Sequence, residues 1–178
     1  MRHIGVLVLT STTFRLFTCS LLALLLVLPA AAGAATWVTI DPPGSLGTTV
    51  YGLNSSGDLV GSFDDNHGTH CFLLSGGVYT TIDVQDSSTT YCTGINDLGQ
   101  LVGSYQDSKF VHHGFLLDGS TFTTLDPPGS LLTVTGHINN STQIVGFYID
   151  ASHIHGFKWE NGIYSVIDEP GQHLRRKS

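Results

Sequence analysis

The chain repeats a short segment at intervals of 42 or 43 residues, and this period limits the fold more than any other feature. Each copy starts with an aromatic residue and ends in Asp. The copies at 37–41, 79–83, 122–126 and 164–168 read WVTID, YTTID, FTTLD and YSVID. A fixed period of this length is typical of stacked supersecondary units.

Other landmarks recur at fixed offsets from these segments. An Asn, a Gly, a His and a Phe return once per period; they are Asn54, Asn96, Asn139, Gly61, Gly103, Gly146, His70, His113, His155, Phe72, Phe115 and Phe157. Turn-forming residues separate four β-branched or aromatic runs in each period. The sequence therefore predicts an all-β fold, a β-propeller-like array of about three four-stranded antiparallel blades. The recurring Gly, within the second strand, is predicted to mark a close approach of two backbones.

The number of predicted blades does not close a ring. The repeats span about 42–83, 84–126 and 127–168, and the segment 37–41 is predicted to be an extra strand. Propellers typically have about four to eight blades. Three alternatives are open: two chains pair as a homodimer into a six-bladed ring, one chain forms an open arc with capped ends, or the chain is a shortened relative of a longer array.

Residues 1–35 have the composition of a secretory signal peptide. Arg2 and Arg15 are positive, an uncharged Leu-rich run covers 16–28, and small residues at 32–34 form a cleavage pattern. An uncleaved anchor is the alternative, but the run is short for a span of about 20 residues. The sequence thus predicts a secreted protein, periplasmic or extracellular, without a membrane span after cleavage. Its repeat domain would cover 36–171 and a basic tail 172–178.

Charge excludes one class of partner. Removal of the signal leaves five basic residues against all 14 acidic ones, a net charge of −9. Three of the five basic residues are Arg175, Arg176 and Lys177 in the tail. Nucleic-acid binding needs clustered Lys and Arg on the folded body, so no nucleic-acid partner is expected.

Two cysteines remain after the predicted cleavage, Cys71 and Cys92. An exported chain meets oxidising conditions, which permit a disulfide between them. They lie in neighbouring repeats at non-equivalent positions, so two separate buried thiols are the alternative.

The repeat resembles the HAF-repeat family of bacterial extracellular proteins. The second repeat carries the closest match, with GIN at 94–96, LVGSY at 101–105 and HGF at 113–115, and DPPG occurs at 41–44 and 126–129. The resemblance covers essentially the whole mature chain, and it implies export, a β-propeller-like fold and no assigned chemistry. The chain departs from the pattern at Cys71 and His137, where other copies have Gly, and at 84–86, where VQD replaces PPG.

Strand parity predicts which loops share a face. In a four-stranded antiparallel unit, the connections after the second and fourth strands leave at the same end, so the Asp- and His-rich loops lie beside the PPG loops. Loops on a rigid scaffold commonly carry function. The candidate ligand-binding residues are Asp64, Asp65, His67, Asp107, His112, Asp150, His153 and His137.

Metal binding is a hypothesis at two places. Asp65, Asp107 and Asp150 occupy equivalent positions and could help to hold calcium, which prefers several oxygen ligands. The alternative is that each accepts backbone N–H bonds within its own turn. His153 and His155 lie on one strand face, as two metal ligands can, but zinc needs a third or fourth ligand. The once-per-repeat histidines are expected to form structural hydrogen bonds.

No catalytic residue is assigned. An active site usually breaks repeat symmetry, and the only asymmetric candidate is His137 with Asp64 and His67. The expected function is that of an exported non-enzymatic module, without a required cofactor, that binds a surface glycan or protein or has a structural role. The alternatives are a secreted carbohydrate-active hydrolase or lyase on the same scaffold, and a fragment of a longer array without function of its own.

Overall fold

The computed structural model describes residues 36–168, which form twelve β-strands and no helix. Unit 1 contains β1 (Gly47–Leu53), β2 (Leu59–Asp64), β3 (Thr69–Ser75) and β4 (Val78–Ile82). Unit 2 contains β5 (Thr89–Ile95), β6 (Leu101–Gln106), β7 (His112–Asp118) and β8 (Thr121–Leu125). Unit 3 contains β9 (Leu132–Ile138), β10 (Ile144–Ile149), β11 (Ile154–Glu160) and β12 (Ile163–Val166). The predicted all-β class is confirmed; the predicted signal at 1–35 and tail at 172–178 lie outside the described residues.

Each unit is a four-stranded antiparallel meander, in which every strand pairs with the next one along the chain. A single parallel bridge between Thr69 and Thr89 joins units 1 and 2 into one mixed eight-stranded sheet, while unit 3 is a separate four-stranded sheet. Within residues 36–168 the sheets do not close into a ring or barrel.

The extra strand predicted over 37–41 is not formed: residues 36–42 have no regular secondary structure. A copy of the last strand needs the open edge of a third strand. In all three units that edge is taken by the unit's own fourth strand, since β3 pairs with β4, β7 with β8 and β11 with β12.

Backbones approach closely at the recurring Gly of the second strand, as the sequence predicts. The first strand of each unit has a register irregularity opposite this Gly, between Cys92 and Gly94 in unit 2. A Cβ added at Gly103 would overlap the Tyr91 carbonyl oxygen and would lie 2.6 Å from the Phe115 ring. Phe115 is fully buried, so the missing side chain of Gly103 makes room for the core aromatic residue.

The hydrophobic core lies between units. Val60 and Cys71 of unit 1 pack with Cys92, Ile95 and Leu101 of unit 2. A second cluster joins unit 2 to unit 3 and contains Val102, Leu116, Leu125, Ile138, Ile144 and Trp159. A unit therefore buries its apolar face against its neighbour, as stacked repeats do.

A disulfide crosses the first of these contacts. Cys71 in β3 and Cys92 in β5 are bonded, with their Cα atoms 5.1 Å apart. Of the two arrangements that the sequence left open, the structure has the bridge, and it fastens unit 1 to unit 2.

Candidate functional site

One His in each unit lies between two Asp carboxylates. In unit 3, His155 Nδ1 is 2.5 Å from Asp168 and Nε2 is 3.2 Å from Asp150. The same arrangement recurs in the other units, where His70 lies between Asp83 and Asp65 and His113 lies between Asp126 and Asp107. The first Asp of each pair follows the fourth strand, and the second begins the loop after β2, β6 or β10. The His therefore ties together two loops that the sequence placed at the same end of the unit.

The loop carboxylates hold their own turns. Asp65 Oδ1 accepts hydrogen bonds from the backbone N–H groups of His67 and Gly68, at 2.6 and 3.1 Å. Asp107 and Asp150 accept two backbone N–H bonds each in the same way. These bonds lower the pKa of all three carboxyl groups, and the pKa is lowered most at Asp150. The structure thus has the turn-capping arrangement; whether calcium also binds there stays a hypothesis.

Two of the bridging histidines favour the charged form. At His155 the hydrogen bond to Asp168 raises the pKa, and this gain exceeds the opposing effect of burial. At His70 burial is the largest single influence and lowers the pKa, but the bonds and charges of Asp83 and Asp65 together raise it. An imidazolium has two N–H donors, which matches two carboxylate acceptors. An aromatic ring lies against each of these imidazoles: Tyr148 is stacked on His155 at a centroid distance of 5.0 Å, and Phe63 is tilted against His70 at 5.3 Å.

Unit 3 also brings together three groups that could hold a metal ion. Ligand atoms of Asp150, His153 and His155 all lie within 4.8 Å of one another. The sequence paired the two histidines but lacked the third ligand, which the loop supplies. Both ring nitrogens of His155 face carboxylates, however, and Asp150 already accepts bonds from its own loop. A metal would have to displace part of this network.

The asymmetric cluster predicted from His137, Asp64 and His67 is wrong. His137 lies on β9 next to the β9–β10 turn, whereas Asp64 ends β2 at the opposite end of the strands and accepts a bond from the Thr69 hydroxyl. His67 is exposed in the following loop, 3.5 Å from Asp65. Strand parity already separates them, because His137 ends the first strand of its unit and Asp64 ends the second strand of its own.

A cleft of about 290 Å³ crosses the first strands of the three units. Its lining consists of Tyr51, Tyr91, Thr93, Ser104, His112 and Val134. His112 is the only one of the predicted ligand-binding residues that contributes to it, and its ring nitrogen lies 3.1 Å from the Gln106 amide. None of the six side chains is acidic, and none is Lys or Arg.

The two tyrosines break the repeat. Tyr91 stands where units 1 and 3 have Thr49 and Val134, and Tyr51 stands where units 2 and 3 have Thr93 and Gly136. The sequence carried this signal, because an aromatic residue that departs from its equivalents is conspicuous in an aligned repeat. It pointed to the first strands, whereas the predictions concentrated on the loops.

His137 lines a smaller cavity of about 230 Å³ on unit 3, with Ile138, Asn139, Gln143, Val145 and Lys158. The predicted ligand-binding residues therefore divide among three places: the bridged loops, the cleft and this outer surface of unit 3.

Comparison of the chain with protein-family models, with curated proteins and with solved structures gave no significant match.

Proposed function

We propose that this chain is an exported, non-enzymatic binding module, and that the cleft across its first strands binds a neutral glycan. The observation that carries the proposal is the lining of the cleft, where two tyrosines depart from the repeat and hydroxyl and imidazole groups surround them. Export rests on the predicted signal at 1–35 and on the resemblance to HAF-repeat proteins.

The chemistry of the lining suits a polyhydroxylated ligand. A Tyr ring offers an apolar face for the C–H groups of a sugar and a hydroxyl that can donate or accept. Thr93, Ser104 and His112 add further donors and acceptors around the two rings. A cleft without Asp, Glu, Lys or Arg has no strong attraction for an ionic ligand, so a neutral sugar is favoured over a charged one.

The His–Asp groups support a scaffold role and not catalysis. They occur once in each of the three units, and each joins the same two loops. General acid–base catalysis needs a group that can reach substrate. Here both ring nitrogens of each bridging His face carboxylates of the same unit. A hydrolase or lyase would need a different set of residues.

Affinity electrophoresis tests the proposal. The purified protein is run in gels that contain a neutral β-glucan, a neutral galactomannan or acidic pectin. We expect retardation by at least one neutral polymer, and we expect the Tyr51→Ala and Tyr91→Ala variants to lose it. Tyr51 is about half exposed, so its removal should change the melting temperature little.

Phe110→Ala is the matched control, because Phe110 is an exposed aromatic residue outside the cleft. It should keep the retardation of the unsubstituted protein. No retardation by either neutral polymer, or equal retardation of the Tyr51→Ala variant, would refute the glycan cleft. Release of reducing ends during incubation would refute the non-enzymatic part.

A further inference from the structure

The interfaces inside the chain define two complementary faces on every unit. The leading face packs against the following unit and carries Val60 in unit 1, Val102 in unit 2 and Val145 in unit 3. The trailing face packs against the preceding unit and carries Leu53, Ile95 and Ile138 at the corresponding positions. Within residues 36–168 the three units bury two pairs of faces and leave one leading and one trailing face without a neighbouring unit.

The leading face of unit 3 is uncovered. Val60 and Val102 are fully buried, whereas the equivalent Val145 is 40% exposed. Leu125 is fully buried between units 2 and 3, whereas its equivalent Ile167 is 57% exposed. Residue type does not explain the difference, because the three valines are identical; among residues 36–168 no further unit packs on this face.

The trailing face of unit 1 is uncovered in the same way. Leu53 is 65% exposed, whereas its equivalent Ile95 is buried against unit 1. Val50 is also exposed, although Cys92 and Thr135 at the same position in units 2 and 3 are fully buried. Leu53 and Val50 together form an apolar patch at the opposite end of the array from Val145.

The hydrogen bonds between units end at the same two faces. The Asn96 amide donates to the Gln100 side chain in its own turn and to the Asn139 carbonyl oxygen of the next unit. Asn54 repeats both bonds, to Asp58 and to the Asn96 carbonyl. Among residues 36–168, the Asn139 amide makes only the first kind of bond, to Gln143. In the same part of the chain, the Asn54 carbonyl oxygen correspondingly accepts only the bond of its own turn, from the Gly57 N–H.

The side chains that depart from the repeat on the two faces complement each other. At the contact between units 2 and 3, Ser104 Oγ accepts a bond from Thr135 N–H. The equivalent side chains across the open faces are those of Phe147 and Val50, and both are apolar. Lys158 occupies the position in unit 3 that Leu116 occupies in unit 2. Its aliphatic stem can pack as an apolar group, while its ammonium group pairs with Glu160 at 2.9 Å. Across the same two faces, the His137 side chain of unit 3 would lie against Gly52 of unit 1, which has no side chain to obstruct it.

We propose that the leading face of unit 3 binds the trailing face of unit 1 in a second copy of the chain, and that two such contacts close a six-unit ring. Each contact is heterologous, and two copies related by a two-fold axis satisfy both ends. Six units fall within the usual range for propellers, whereas three do not. Closure also satisfies the Asn139 amide with the Asn54 carbonyl oxygen of the other copy.

Sedimentation equilibrium of the purified protein tests this assembly. We expect a mass of two chains. Phe147→Glu on the leading face and Leu53→Glu on the trailing face should each weaken dimerisation by about a hundredfold, because each buries a charge without a partner. Both positions are exposed in a single chain, so the variants should still fold, as circular dichroism can verify. Val78→Glu, at an exposed apolar residue on β4, is the control and should remain dimeric.

Mixing the two variants distinguishes this contact from a face that pairs with itself. The Phe147→Glu variant keeps an intact trailing face and the Leu53→Glu variant keeps an intact leading face, so the mixture should recover one contact and form a heterodimer. A monomeric unsubstituted protein would overturn the proposal. So would a Leu53→Glu variant that stays a full dimer, a mixture that stays monomeric, or an open-ended series of masses.

Discussion

At the scale of single residues, an imidazole between two carboxylates organises each unit. The recurrence of His70, His113 and His155 was enough to predict a structural hydrogen-bonding role. The sequence could not say which Asp faces which ring nitrogen, because the two Asp residues lie 5 and 13 positions away from His155 on different loops. The carboxylate partners became visible only once the strands set both loops at one end of the unit.

This arrangement predicts a pH dependence of stability. The pKa values of His70 and His155 are raised in the folded chain, so their contribution is complete below about pH 6.5 and is lost as pH rises through the folded values. The lowered pKa values of Asp65, Asp107 and Asp150 give a contribution that is present above about pH 4 and is lost as pH falls. Melting temperature should therefore peak between about pH 5 and 6.5 and fall towards pH 9.

Replacement of both histidines tests the alkaline side of this profile. A His70→Gln/His155→Gln variant should melt at a lower temperature at pH 6 and should lose much of the decline between pH 6.5 and 9. His112→Gln is the matched control, because it removes an imidazole that has no Asp on either side among the described contacts. An unchanged decline in the double variant would show that the bridged histidines do not set it.

The disulfide is a second residue-scale feature. The sequence permitted a disulfide but could not decide between a disulfide and two separate thiols. Cys71 and Cys92 occupy different strands of their units and meet only across the contact between units 1 and 2. It closes a chain segment with a sequence separation of 21 residues. Reduction should lower the free energy of unfolding by about 3 kcal/mol, as measured by urea denaturation with and without reductant. A Cys71→Ser/Cys92→Ser variant that is insensitive to reductant serves as the control. Equal stability of the oxidised and reduced protein would contradict the bridge.

At the scale of strands, the aligned repeat predicted nearly all of the elements. Four strands were predicted in each period, and each of the three units forms four. The strand expected at 37–41 does not form, although its sequence matches that of the fourth strands. Its residues have β propensity, but a strand also needs a free edge to pair with. Local sequence specifies the propensity and not the partner.

The Gly of the second strand gives a prediction at this scale. Gly103→Ala should lower the free energy of unfolding by about 3 kcal/mol, because its Cβ would overlap the Tyr91 carbonyl oxygen and the Phe115 ring. Thermal or urea denaturation measures the loss. Gly47→Ala is the control, since the nearest atom to its added Cβ is an Asp64 oxygen at 3.9 Å and no change beyond about 1 kcal/mol is expected. Similar losses in both variants would argue against the close approach.

At the scale of the whole molecule, the sequence predicted three units but left their closure open. Val60, Val102 and Val145 have the same residue type and the same local context, so no pattern in the sequence distinguishes them. Their burial differs because burial depends on the neighbouring unit. The cleft was missed for a related reason, since its lining is drawn from the first strands of three units and from one residue each of β6 and β7. Contacts between units are the part of this fold that single-repeat reasoning does not reach.

Cross-linking is the most direct test of the stacked array with complementary ends. Inside the chain, Ser55 N–H donates to the Asp97 side chain and Asp97 N–H donates to the Asn140 side chain. In the closed ring Asn140 of one copy therefore lies beside Ser55 of the other. We predict that a Ser55→Cys/Asn140→Cys variant treated with a short bismaleimide yields a covalent dimer on a denaturing gel, and that neither single variant does. A band at the mass of one chain alone would contradict the account, and a ladder of higher multiples would contradict closure at two copies.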